Sequence, residues 1–184
     1  MNTIITSDHE VALLMAEIRS PLTTNLMTGV TGLGTAVAAL VFLYIFYRAG
    51  WEKEFLMGLG SHSLNALIVV VLMKTIKRPF PPQPVCKTGF DAVTSSFPSG
   101  HAASAAVFAF IAWKSENLAT FPVAVLALLV SFSRVYLGTH YLSDTVLGGV
   151  MGLLMAYLVS QRLKWVEYLF ERLADSTDFV SSFD

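Results

Sequence analysis

Three short polar clusters interrupt an otherwise apolar chain: Arg78-Pro79, then Pro98-Ser99-Gly100-His101, then Ser133-Arg134 followed by His140 and Asp144. Arg78 and Arg134 are always charged and present planar forks of N–H donors that match phosphate oxygens, and a pair of them implies a dianion. Alone, either would read as an arginine snorkelling to lipid headgroups. Ser99 stands where an N-cap would open an apolar helix, so that free backbone N–H groups around Gly100 and the positive end of the helix dipole favour an anion. His140 and Asp144 are four residues apart at the start of a further apolar run, which predicts that they share one helical face. The carboxylate would accept from one imidazole nitrogen and leave the other as a nucleophilic lone pair. The chemistry such a set supports is phosphoryl transfer, where protein groups mostly position the reactants and stabilise charge.

The elements that must carry these residues are membrane helices. Of 184 residues, 54% are hydrophobic and 14% charged, with mean hydropathy +0.62, against about 25% charged in an ordinary globular domain. A span needs roughly 20 apolar residues to cross about 30 Å of hydrocarbon. Five segments fit or nearly fit: Thr28 to Tyr47, Phe55 to Met73, Ser99 to Trp113, Phe121 to Leu137, and Leu142 to Leu163. The expected fold is therefore all-α, a multi-pass membrane bundle forming one domain over 1–184, with its motif-bearing core at 74–149. Residues 8–20 place Val11, Leu14, Met15 and Ile18 at helical spacing, with Ser7 or Asp8 as N-cap and Pro21 as a stop; this predicts an amphipathic interfacial helix within 1–22. Between the second and third spans lies a polar loop from Arg78 to Pro98, too rich in proline for a regular helix.

Alternating spans put that loop and the Arg134-to-His140 turn on one side. Away from the motifs this side carries Arg19 and Lys87, whereas the other carries Arg48, Lys53, Lys114, Arg162, Lys164 and Arg172, so the site is expected to face away from the cytoplasm. Residues 164–184 then form a cytoplasmic tail, and Trp51, Trp113 and Trp165 an aromatic belt at the cytoplasmic boundary. A net charge of −1 and the lack of a clustered basic face exclude nucleic acid as a partner. Cys86, the single cysteine, excludes an internal disulfide. No cleavable signal peptide is evident near the start. His62 and Asn65, 16 and 13 residues before Arg78, read as interhelical hydrogen-bonding groups far from the site.

Taken together the motifs resemble the type-2 phosphatidic acid phosphatase superfamily, which includes vanadium haloperoxidases, glucose-6-phosphatase and bacterial undecaprenyl pyrophosphate phosphatases. Its pattern is Lys, six residues, Arg-Pro; then Pro-Ser-Gly-His; then Ser-Arg, five residues, His, three residues, Asp. The second motif is complete at 98–101 and the third at 133–144. The first departs from the pattern: Arg78-Pro79 matches, but Val71 occupies the lysine position, and Lys74 is the nearest substitute.

The resemblance implies a membrane hydrolase in which His140 attacks phosphorus, His101 protonates the leaving oxygen, and Lys74, Arg78, Ser99, the Gly100 amide and Arg134 hold the other oxygens. Asp144 completes the catalytic set, and water then hydrolyses the phosphohistidine. No metal or other cofactor is expected, because cationic side chains occupy that role and Asp91 is the only carboxylate in the long loop. The expected partners are a lipid phosphate or diphosphate and the surrounding membrane lipids. Undecaprenyl diphosphate is favoured as substrate for the short chain and outward-facing site, with phosphatidic acid or phosphatidylglycerophosphate next. A haloperoxidase would reuse the anion pocket, but that branch is soluble. A non-catalytic lipid-binding or transport protein would be expected to have lost His101, His140 or Asp144, and all three are present.

Overall fold

The computed structural model describes residues 2–85 and 95–181, with side chains at 6–85 and 95–165. Cys86, Lys87 and Asp91, and the side chain of Arg172, lie outside this description. The described residues fold as seven helices: α1 (Asn2–Glu17), α2 (Pro21–Gly32), α3 (Ala36–Arg48), α4 (Glu52–Ile76), α5 (Gly100–Lys114), α6 (Thr120–Tyr136) and α7 (Leu142–Ser181). The expected all-helical multi-pass bundle is what the chain adopts. The five expected spans fall on α2 with α3, α4, α5, α6 and α7.

Three boundaries differ from the sequence reading. Helix α1 begins at Asn2, so Asp8 lies within it rather than capping it. Pro21 opens α2 instead of merely closing α1: its fixed φ suits the first helical position, and Ser20 and Thr23 form a capping box before it. The first apolar run is not one helix, because Thr35 caps a new start by accepting from Ala38 N, and α2 and α3 meet at a 49° bend. The bend brings Gly34 against α5 and α6, where an added Cβ would lie 2.7 Å from Val130 Cγ1 and 3.0 Å from His101 Cβ.

By length and apolarity, Glu52–Ile76 and Leu142–Trp165 can each cross a bilayer, and the bent α2–α3 pair is long and apolar enough to do so when its two helices are taken together. At 15 and 17 residues, α5 and α6 rise about 22 and 25 Å, short of the hydrocarbon thickness. Shortness is tolerable for α5 because it is the centre of the bundle, with ten of its residues buried between α4, α6 and α7. Its Ala-rich sequence permits close approach. Gly148 and Gly152 of α7 complete the fit: a Cβ there would stand 2.5 Å from Ser99 O and 2.2 Å from Ala103 O respectively. Small residues at such a crossing let backbones pack without a hydrophobic drive between lipid-facing surfaces. Outward, large apolar side chains such as Phe121 (80% exposed) and Leu128 (70%) face the lipid.

One end of the bundle is closed by Leu43, Phe46, Met57, Phe108 and Ile111, with Phe42 edge-on to Phe108 at 5.2 Å between centroids. Glu54 is buried at this end and accepts hydrogen bonds from Ser115 Oγ and Asn117 Nδ2, tying α4 to the α5–α6 turn. Stranding those donors costs roughly 1–3 kcal/mol. Glu54→Ala is therefore expected to lower the thermal midpoint in detergent while leaving kcat/KM within about two-fold, since the polar end of the bundle is elsewhere; a larger kinetic loss at unchanged midpoint would contradict this division.

Candidate active site

The opposite end gathers the motif residues. Helix α4 stops at Lys77, which adopts a left-handed conformation (φ 48°), and Pro79 bars Arg78 from continuing the helix. The returning end of the loop is fastened to this exit: Arg78 N donates to Ser95 Oγ at 2.9 Å, Ser96 N to Arg78 O at 2.9 Å, and Ser96 Oγ to Pro79 O at 2.9 Å. Ser99 then caps α5 through Ala102 N, and its own N–H donates to Asp144 O at 3.1 Å, which registers α5 against α7. Beside Gly100 the nearest neighbour of an added Cβ is Val69 at 3.6 Å, ordinary contact, so packing does not require the glycine. Its value would be close approach of a ligand to the helix N-terminus.

Helix α6 delivers Arg134 in its last turn, buried, with Nη1 donating to Thr31 Oγ1 at 2.8 Å. The chain then turns sharply, with Gly138 at φ 68°, and both Thr139 N and His140 N return to Arg134 O. The left-handed φ is what calls for glycine at Gly138; a Cβ there would meet Arg19 Nη2 at 2.5 Å, the end of a flexible side chain that can shift. Arg19 itself clasps this turn from the α1–α2 junction, donating to Tyr136 O and Gln83 O.

His140 is 4% exposed, and its Nδ1 lies against Ser96 O. A carbonyl can only accept, so Nδ1 carries the proton and Nε2 is left with the lone pair. Burial is the main cause that holds the His140 imidazole down, to about 3; the positive charge of Arg134 and the neighbouring His101 add to it, and the Ser96 carbonyl opposes it. The ring is thus neutral at physiological pH. Half-buried His101 stands in the first turn of α5, on the wall of a groove of about 440 Å³ between α3 and α4 that also includes Gly34, Val69 and Ser104.

Asp144 departs from the role its spacing suggested. The i, i+4 rule requires both residues to be helical, but α7 begins at Leu142 and His140 sits in the preceding turn. Asp144 instead turns toward Arg78 Nη1 and accepts from Tyr141 N at 2.9 Å, closing the first turn of α7. The group that orients His140 is the backbone carbonyl of Ser96, which no side-chain pattern could have announced. Arg78 is further held by Asp8 of α1 (Nη2 to Oδ2, 2.7 Å) and by Ser143 Oγ (2.8 Å), and it stacks 4.3 Å over the Tyr141 ring. Asp8, Ser96, Tyr141 and Ser143 were all missed from the sequence. Lys74 lies exposed in the last turn of α4, and no hydrogen bond or ion pair engages its ammonium among the described residues.

The structure thus brings Arg78, His140, Asp144, Ser99 and Arg134 into one connected network, with His101 bordering it. His62 is interhelical as expected, bonding Gly58 O at 2.9 Å and Ser104 Oγ at 3.0 Å. Asn65 is buried beside it, with no partner for Oδ1 among the described residues. No group of three or more His, Cys, Asp or Glu residues suited to a metal is gathered among the described residues.

A sequence model of the PAP2 superfamily matches residues 55–168. Phosphatidylglycerophosphatase B of Bacillus subtilis is 31% identical over 176 residues, covering 86% of this chain and 84% of that protein. Decaprenylphosphoryl-5-phosphoribose phosphatase of Mycobacterium tuberculosis is 32% identical over 110 residues, covering 59% of this chain and 60% of that protein. Among solved structures, a transmembrane PAP2 type phosphatidylglycerolphosphate phosphatase from Bacillus subtilis superposes with a TM-score of 0.77 at 30% identity, over 90% of this chain and 89% of that one. Aquifex aeolicus LpxE shares the fold, with a TM-score of 0.68 at 23% identity over 83% and 93%.

Proposed function

The chain belongs to the PAP2 superfamily and is a membrane lipid phosphatase, and from that premise we propose that it hydrolyses the phosphomonoester of a glycerophospholipid of the phosphatidylglycerophosphate type through a phosphohistidine on His140. The observation that carries the mechanism is the Ser96 carbonyl on His140 Nδ1, which leaves Nε2 with its lone pair. Nε2 attacks phosphorus in line. Arg78, Arg134 and the N-terminus of α5 at Ser99 and Gly100 stabilise the charge on the other oxygens, and His101 gives its proton to the departing alkoxide. Water then enters, His101 takes a proton from it, and the P–N bond breaks to release phosphate and neutral His140. No step needs a metal. Lys74, exposed in the last turn of α4 four residues before Arg78, is proposed as a further phosphate-holding group by its position and flexible stem.

The relatives named for monoester-bearing lipids support a monoester over undecaprenyl diphosphate, the lipid favoured from the sequence. By charge asymmetry the site faces away from the cytoplasm, with the C-terminus inside. Phosphate release by detergent-purified protein in EDTA, from phosphatidylglycerophosphate, phosphatidic acid and undecaprenyl diphosphate in parallel, tests both points. The expected result is EDTA-resistant release with phosphatidylglycerophosphate at least about ten-fold preferred in kcat/KM, a margin of about 1.4 kcal/mol. Preference for the diphosphate would return the reading to the polyprenyl lipid, and release abolished by EDTA would overturn the metal-free mechanism.

A further inference from the structure

The N-terminal helix directs the carboxylate of Asp8 into the site rather than to the membrane surface. Asp8 is 4% exposed although it lies on a helix expected to rest at the interface. Its carboxylate gathers three donors: Arg78 Nη2 at 2.7 Å, Ser143 N at 3.0 Å, and the Ser143 hydroxyl. Ser143 N belongs to the first turn of α7, where backbone N–H groups lack intrahelical partners, so Asp8 caps that helix from outside it. The other guanidinium nitrogen of Arg78 is held by Asp144 and Ser143 Oγ, and the Tyr141 ring closes one face. Arg78 is therefore fixed in plane by two carboxylates from different helices, one of them 70 residues earlier in the chain. An arginine left with only one of these would keep the rotational freedom of its long side chain.

We propose that Asp8 is a positioning residue for the phosphatase reaction: it clamps Arg78 and the first turn of α7, and so makes α1 an integral part of the active site. This rests on the reading of Arg78 as a phosphate-holding group. The three charges Asp8, Arg78 and Asp144 sum to −1, so the clamp adds no attraction for an anion; its contribution is geometry, the orientation in which Arg78 meets the phosphate. Misplacement of a holding group by about 1 Å costs on the order of 100-fold in rate.

The test is a double-mutant cycle on detergent-purified full-length protein, with dioctanoyl phosphatidic acid as substrate and orthovanadate as phosphate-mimicking inhibitor. Asp8→Asn keeps the shape and loses the charge; it is expected to lower kcat/KM about 10- to 100-fold and to weaken vanadate inhibition in parallel. In an Arg78→Gln background the same substitution is expected to cost less than two-fold, because the residue it positions is gone. Asp8→Glu is expected to recover part of the loss. An equal cost in both backgrounds would overturn the proposal in favour of a general structural role. Vanadate binding that tightens in Asp8→Asn would overturn it differently, by making Asp8 a competitor for Arg78. Should Asp8→Asn fail to fold, Ser143→Ala removes the hydroxyl shared by Arg78 and Asp8 and serves in the same cycle. Wild-type protein that hydrolyses nothing would instead count against the phosphatase reading itself, whereas active wild type with an indifferent Asp8→Asn removes this inference alone.

Discussion

Replacing His140 by asparagine is expected to lower kcat/KM by about 10⁴-fold or more, the scale seen when a covalent nucleophile is removed. Asparagine is the informative choice because its amide N–H can still donate to Ser96 O, so the hydrogen bond that anchors this buried side chain survives while Nε2 is lost. An unchanged thermal midpoint in detergent would assign the loss to chemistry. A second readout is independent of rate: wild-type protein quenched during turnover with a labelled phosphate ester should carry acid-labile label, and His140→Asn should carry none. Activity within about ten-fold of wild type would remove His140 as nucleophile.

The same geometry fixes a pH dependence. Burial first, and Arg134 and His101 after it, hold the His140 imidazole down to about 3, so the free enzyme keeps it neutral across the working range. An acid limb in kcat/KM between pH 5 and 7 then belongs to the substrate phosphate, whose second ionisation lies near about 6. It should move down with a phosphorothioate ester, whereas a limb fixed near the ordinary imidazole value would contradict the buried, neutral ring. The stability consequence has a definite sign: as pH falls from about 6.5 toward 3 the unfolded chain binds a proton at His140 that the folded chain refuses, so stability from this group declines with falling pH over that window.

The second large effect is expected far from any reacting atom. Gly152→Val should leave little folded protein, because even its Cβ would stand 2.2 Å from Ala103 O and 2.8 Å from Ala103 C, both rigid backbone of α5. Side-chain overpacking costs about 1–3 kcal/mol when neighbours can shift; here the neighbour is a buried helix, and relief requires α7 to back away from α5. That movement would also draw Asp144 O from Ser99 N, the bond that registers the two helices at the site. Gly149, three residues earlier on the same helix, is the control. A Cβ there meets nothing within 4 Å, so Gly149→Ala is expected to stabilise by roughly 0.5–1 kcal/mol through helix propensity. Thermal midpoints of the two variants check the pair, and equal behaviour would show that the close crossing does not govern stability.

What the sequence by itself determined was the fold class, the family and the residues that are candidates for the chemistry. Long apolar runs can satisfy their backbone in lipid only as helices, so the all-α membrane bundle was legible from hydropathy. Arg78, Ser99, His101, Arg134, His140 and Asp144 stood out as candidates because ionisable and capping residues are costly where charge is scarce, and their order matched a known pattern. Tertiary structure decided everything that depends on which backbone lies opposite which. His140 takes its orientation from the Ser96 carbonyl 44 residues away, not from Asp144 four residues on, because a helix boundary at Leu142 leaves His140 outside the periodicity that the spacing argument needs. Asp8 looked like a cap on its own helix and is a cap on another, joined to Arg78 across 70 residues. The break at Thr35 followed from a local capping residue, yet its use, seating Gly34 on His101, exists only once α5 is in place. Side-chain identity and local period are written along the chain, whereas backbone acceptors look alike at every residue, so the partner each one receives is fixed only by packing.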